Sequence, residues 1–145
     1  MTTRILTGVD DTETALEAAR TAARLAVGLG AELHVISAYG KVDAIEVRAE
    51  GKEFNVSPED DARRVAEAVA QVLRDEHGAL TVESSPAEGK PAEALVRVAE
   101  SLDADVIVVG NKRVQGLARV LGSVASDVTQ KAHCDVYVAH THPRG

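Results

Sequence analysis

Two stretches of this chain carry residue types and spacing suited to holding an anion or a polar small molecule. The first is Gly8-Val9-Asp10-Asp11-Thr12, where an apolar run gives way to two carboxylates and a hydroxyl. The second begins at Val109-Gly110, passes through Asn111, Lys112 and Arg113, and ends at Gly122-Ser123-Val124. Gly110 follows directly on an apolar run, and Gly122-Ser123 opens a helical segment. Free backbone N–H groups at a helix start, together with the helix dipole, make an anion site. Gly122 allows close approach to the backbone, and the Ser123 hydroxyl can add a hydrogen bond. Lys112, Arg113 and Arg119 make the intervening loop basic. A structural role, with Gly110 and Gly116 shaping a turn and Ser123 capping a helix, fits the same local chemistry. For Asp10 the structural alternative is an N-cap shared with Asp11 and Thr12.

Other constellations carry less. Gly28-Leu29-Gly30 follows a helix and lacks the third glycine of a dinucleotide fingerprint, and no phosphate-loop string G-x-x-x-x-G-K-[ST] occurs. His133-Cys134-Asp135 has nucleophile, base and orienter types, but adjacent residues of a strand point to opposite faces. Cys134 reads as a small buried hydrophobe. His140 and His142 share a face if the last strand continues, yet the ending Pro143-Arg144-Gly145 reads as a frayed terminus. His34 reads as a hydrogen-bonded core or pocket-wall histidine, and His77 as a helix C-terminal residue. No carboxylate pair suggests general acid–base catalysis.

The elements that position these residues follow from periodicity. Ile5-Leu6-Thr7-Gly8-Val9 is a short continuous apolar run, as in a strand buried on both faces. Asp11-Thr12 caps a helix with Ala15, Ala18, Ala19, Ala22, Ala26 and Leu29 at helical spacing, closed by Gly28 and Gly30. Leu33-His34-Val35-Ile36-Ser37-Ala38 is a second strand. Ser57-Pro58-Glu59-Asp60 opens a helix that ends near Gly78, with Ala62, Val65, Ala66, Val69, Val72 and Leu73 buried. Leu80-Thr81-Val82-Glu83-Ser84 predicts a third strand nearer a sheet edge. A helix starts at Pro91, Val106-Ile107-Val108-Val109 is the strongest strand, and a helix over 123–132 leads into Asp135-Val136-Tyr137-Val138-Ala139. Five strands alternating with four helices predict a single α/β domain over 1–145 with a mainly parallel sheet. The stretch 40–56, within a variable surface loop over 39–57, lacks a period and reads as an excursion that could also be a lid or partner surface.

Composition narrows the function. The 145 residues are 45% hydrophobic and 27% charged, which suits one soluble core. Sixteen basic against twenty-three acidic residues leave a net charge of -7, which disfavours nucleic-acid or anionic-membrane binding. Phe54, Tyr39 and Tyr137 are the only aromatics, too few for base-stacking platforms. One cysteine fits a reducing compartment. Met1-Thr2-Thr3-Arg4 leads into a strand without a signal-peptide core, and no apolar stretch reaches membrane-spanning length. A cytoplasmic protein is expected.

Gly8-Val9-Asp10, His34-Val35, Pro91-Ala92-Glu93-Ala94-Leu95 and Val109-Gly110-Asn111…Leu121-Gly122-Ser123-Val124 together resemble the universal stress protein family in its single-domain, actinobacterial form. The resemblance covers nearly the whole chain except 40–56. Gly110 fills the first position of the nucleotide-binding branch's G-x2-G-x8-9-G-[ST] motif, and Gly122-Ser123 fill the last; Arg113 stands at the second glycine. An arginine there either disturbs the backbone or supplies a charge to phosphates.

The resemblance implies a doubly wound five-stranded parallel sheet of order 3-2-1-4-5 and an adenine pocket between the first two strands. Asp10 would accept from the adenine amino group or hold the pocket's end, and Val35 would pair with the base through its main chain. Gly110 would lie against the ribose, with Gly122, Ser123 and Val124 on the phosphates. Any Mg²⁺ would arrive with a triphosphate. The resemblance also implies a homodimer through the last strand, Asp135-Val136-Tyr137-Val138-Ala139-His140; edge protection by Tyr137 and the charged tail is the alternative. The leading expectation is a stress-response sensor or regulator that binds ATP first, AMP or cyclic AMP next, without required turnover. The alternatives are a homodimeric partner-binding module without nucleotide, favoured by Arg113, and a slow hydrolase, for which Asp127 is the one acid near Ser123.

Overall fold

The computed structural model describes residues 2–40, 57–111 and 122–141. In chain order the elements are β1 (Arg4–Gly8), α1 (Glu13–Leu29), β2 (Glu32–Tyr39), α2 (Pro58–Glu76), β3 (Val82–Glu88), α3 (Pro91–Leu102), β4 (Val106–Gly110), α4 (Ser123–Lys131) and β5 (Asp135–Ala139). The strands form one parallel sheet of order β3-β2-β1-β4-β5. This is the expected doubly wound α/β fold.

Strand alternation divides the core into two layers. Ile5, Leu33, Val35, Val82 and Val108 face α1 and α2, where they meet Ala19, Ala22, Ala26, Ala66 and Leu73. Leu6, Ile36, Ala87, Ile107 and Val109 face α3 and α4, where they meet Leu95, Ala99, Ala125 and Val128. The alanine stripe of α1 lets that helix lie close to the sheet, which is how so few aromatics suffice.

Local chemistry sets the helix ends. The Thr12 hydroxyl caps α1 by accepting from the Ala15 N–H. Gly30, with φ +64°, closes that helix in the left-handed conformation; Gly28 lies within it. Ser57 caps α2 through the Asp60 N–H, with Pro58 in its first turn.

The third strand corrects the expectation. It spans Val82–Glu88, not 80–84, and runs through Pro86. Leu33 N–H donates to Thr81 O. By alternation the N–H of every even-numbered β3 residue faces the open edge, so Pro86 removes no ladder bond. The same edge is partly covered. Arg74 of α2 donates through Nε (3.1 Å) and Nη2 (2.8 Å) to the outward Val82 carbonyl, and its Nη1 pairs with Glu67, which also accepts from Ser84 Oγ.

Candidate functional site

A cleft of about 360 Å³ lies beyond the C-terminal ends of the strands. There β1 leaves toward α1 on one face and β4 leads toward α4 on the other, the switch point where open parallel sheets hold ligands. Gly8, Val9 and Asp10 reach it from β1, Val109 and Gly110 from β4, and Gly122, Ser123 and Val124 from the start of α4. These expected site residues therefore come together. Ile36 and Ala38, Thr12, Thr14, Ala15 and Ala18, Pro91 and Leu95, Ala125 and Thr141 complete the wall. Lys112 and Arg113, with Gly116 and Arg119, lie outside the described residues, as does the stretch 41–56.

Val35 is corrected. It is fully buried in the layer under α1 and α2, between Thr7 of β1 and Ser84 of β3, and it does not line the cleft. The strand runs on to Tyr39, so Ala38 is the residue that reaches the cleft. The pairing rhythm also distinguishes the two. Glu32 N–H donates to Thr3 O and Val9 N–H to Ile36 O, whereas Gly89 N–H donates to Tyr39 O. Even-numbered residues of β2 thus turn their N–H and C=O toward β1, and odd-numbered ones toward β3. At Ala38 strand β1 has already ended, so this N–H and C=O face the cleft side by side.

The start of α4 supplies the complementary chemistry. Gly122 is its N-cap without a side-chain hydrogen bond, and the first helical bond runs from Ser126 N–H to Gly122 O at 3.0 Å. The N–H groups of Ser123, Val124 and Ala125 therefore have no helical acceptor, and all three residues line the cleft. Asp10 holds the opposite lip. Its Oδ1 accepts from Thr12 N (2.9 Å) and Thr12 Oγ1 (2.5 Å), so it ties down its own loop while Thr12 caps the helix.

The two strand-end glycines admit protein side chains. A Cβ on Gly8 would stand 2.8 and 2.9 Å from the Leu95 methyls. One on Gly110 would stand 3.2 Å from Thr141 Cγ2 and 3.5 Å from Ala18 Cβ. Thr141 is a site residue that sequence reasoning missed, because the tail reads as a frayed terminus. Asn111 instead holds it, its Oδ1 accepting from Thr141 N (2.9 Å) and Oγ1 (3.0 Å).

The remaining constellations separate from the cleft. Cys134 packs into the α3–α4 layer, and burial raises its thiol pKa, with Asp135 and Asp105 adding to the rise. His133 is exposed, 3.6 Å from Glu100 Oε1. His34 is buried, its Nε2 3.2 Å from Glu32 Oε1. Asp127 is exposed and does not line the cleft. His142 lies outside the described residues. Among the described residues no helix is long and apolar enough to cross a membrane.

Comparison with known proteins agrees with this fold. The Universal stress protein family matches residues 1–140. A universal stress protein of Mycobacterium tuberculosis is 30% identical over 145 residues, covering 94% of this chain and 95% of the relative. One from Methanocaldococcus jannaschii is 31% identical over 138 residues, covering 93% of this chain and 80% of the relative. The crystal structure of a universal stress protein in complex with cAMP superposes with a TM-score of 0.73 at 27% identity, covering 97% of this chain and 98% of that one.

Proposed function

The chain belongs to the universal stress protein family, and from that premise we propose that its strand-end cleft binds an adenine nucleotide and that occupancy, not turnover, is its output. One observation carries this reading: a single cleft joins the paired N–H and C=O of Ala38 to the three unpaired N–H groups of α4. The first offers a donor and an acceptor side by side, as the edge of a purine requires. The second is an anion site at a helix start. Ile36, Pro91 and Leu95 give the base end apolar walls, as small-molecule sites commonly have. The cAMP complex of a relative of nearly the same length supports the ligand class.

ATP is the first candidate, with AMP and cyclic AMP next. Mg²⁺ would enter on the phosphates of ATP. The stress-regulatory role would work through a homodimer at β5. By alternation, Val136 and Val138 turn their N–H and C=O outward there, since Asp135 N–H donates inward to Asp105 O, just before β4, and Ala139 C=O accepts from Asn111 N–H.

The test is equilibrium titration with ATP, AMP, cyclic AMP, adenosine and GTP, with and without Mg²⁺. Adenine nucleotides binding more tightly than adenosine, and GTP binding poorly, is the expected result. Adenosine binding as tightly as ATP would remove the phosphates from α4. No binding by folded protein would refute the reading.

A further inference from the structure

We infer that Thr141 is the residue through which this cleft reads the sugar of its ligand, and that Asn111 positions it to do so. This rests on the nucleotide reading above and takes it one group further.

Asn111 follows the last residue of β4, and its N–H donates to Ala139 O at 3.0 Å, continuing the ladder between β4 and β5. Its side chain extends the pairing one step more. Oδ1 accepts from both Thr141 N (2.9 Å) and Thr141 Oγ1 (3.0 Å), and Nδ2 lies 3.2 Å from His140 Nδ1. The chain after β5 is thereby drawn back across the end of β4. Thr141 comes to rest on Gly110, with Cγ2 3.2 Å and Oγ1 3.8 Å from where a Cβ there would stand. Thr141 and Gly110 line the cleft, whereas Asn111 does not.

The hydroxyl's direction decides what it can recognise. A threonine hydroxyl has one hydrogen and two lone pairs. Asn111 Oδ1 must be the carbonyl oxygen, because the Thr141 N–H needs an acceptor, so the hydroxyl hydrogen also goes to that oxygen. Thr141 Oγ1 then meets a ligand as an acceptor only. A phosphate oxygen has no hydrogen to give it, but a ribose hydroxyl does. Its place agrees: in the sheet β4 lies beyond β1 from β2, whose Ala38 is on the base side, and α4, whose start would hold the phosphates, packs against β4 and β5. A nucleotide spanning the cleft carries its sugar there.

The experiment compares AMP, 2′-deoxy-AMP and 3′-deoxy-AMP on the full chain and on Thr141→Val, Thr141→Ser and Asn111→Ala, with thermal melts to verify folding. The native chain should bind AMP roughly 3- to 10-fold more tightly than one of the two deoxy nucleotides, the range of one net hydrogen bond. Thr141→Val, which keeps the shape, should bind AMP no better than that deoxy nucleotide. Thr141→Ser should restore the discrimination, and Asn111→Ala should lose it with the threonine still present. Equal binding of all three nucleotides to the native chain, or discrimination surviving in Thr141→Val, would overturn the inference and leave the nucleotide reading intact. Failure of every nucleotide to bind would instead overturn both.

Discussion

Gly8→Ala is the substitution whose cost the geometry defines most closely. The added methyl would stand 2.8 and 2.9 Å from the two Leu95 methyls and 3.2 Å from Leu95 Cγ, well inside contact distance. Leu95 is only 4% exposed, packs in the α3–α4 layer and lines the cleft. Overpacking of this kind costs about 1–3 kcal/mol. Replacing glycine by alanine restricts the unfolded chain and returns about 0.4–1 kcal/mol. The net loss is about 1–2 kcal/mol, or roughly 3–6 °C in Tm for a domain of this size. Leu95→Ala alone should cost about 2–5 kcal/mol through the cavity it leaves. In the double variant the clash is gone and only the unfolded-chain gain remains, so adding Gly8→Ala to Leu95→Ala should stabilise it by about 0.4–1 kcal/mol. Denaturant unfolding of the four proteins gives the coupling energy directly, expected at about 1–3 kcal/mol against an additivity limit near 0.5 kcal/mol. A Gly8→Ala chain as stable as the native one, with strictly additive effects in the double variant, would refute the packing argument.

Four further outcomes follow from the same structure. Ser123→Pro removes one of the unpaired N–H groups at a helix position that tolerates proline; it should weaken ATP roughly 3- to 10-fold and leave adenosine unchanged, as calorimetry would reveal. The carboxyl of Glu32 is held below its ordinary value first by the Arg4 hydrogen bond and then by that of His34. A depressed folded pKa adds stability that is present above the unfolded value, near 4.3, and lost as pH falls through the folded one. Glu32→Gln should therefore flatten the acid limb of a stability–pH profile below about pH 5. Cys134, half-buried and with a raised pKa, should react with a thiol reagent at pH 8 more slowly than in the unfolded chain. Val138→Pro deletes an outward-facing N–H of β5; if the proposed homodimer forms through that edge, sedimentation should find a dimer for the native chain and a monomer for the variant.

The fold was legible because the three central strands β1, β2 and β4 are short runs buried on both faces and each helix carries a capping residue or proline at its start. The α4 half of the cleft was legible for a related reason: Gly122-Ser123 is a local signal, and the N–H groups it frees follow from helix geometry alone. The residue that β2 contributes was not. His34-Val35 draws attention by residue type, but which residue meets the cleft depends on where β2 outlasts β1, and that is fixed by register between strands. Ala38, small and chemically unmarked, gives no sign of it. Thr141 was hidden by distance, since the group that orders it, Asn111, lies 30 residues earlier. The β3 boundary shifted because Ser84-Ser85-Pro86-Ala87-Glu88 carries no apolar run, and the strand continues through it with the Pro86 nitrogen on the open edge.

The claim that an adenine nucleotide spans the cleft from Ala38 to α4 is tested most directly by amide NMR shifts during an ATP titration. The account predicts saturable shifts at Ala38, Gly110, Ser123, Val124 and Ala125, with Val35 unmoved. Shifts confined to residues outside the cleft, or none at millimolar ATP with the spectrum of a folded chain, would contradict it.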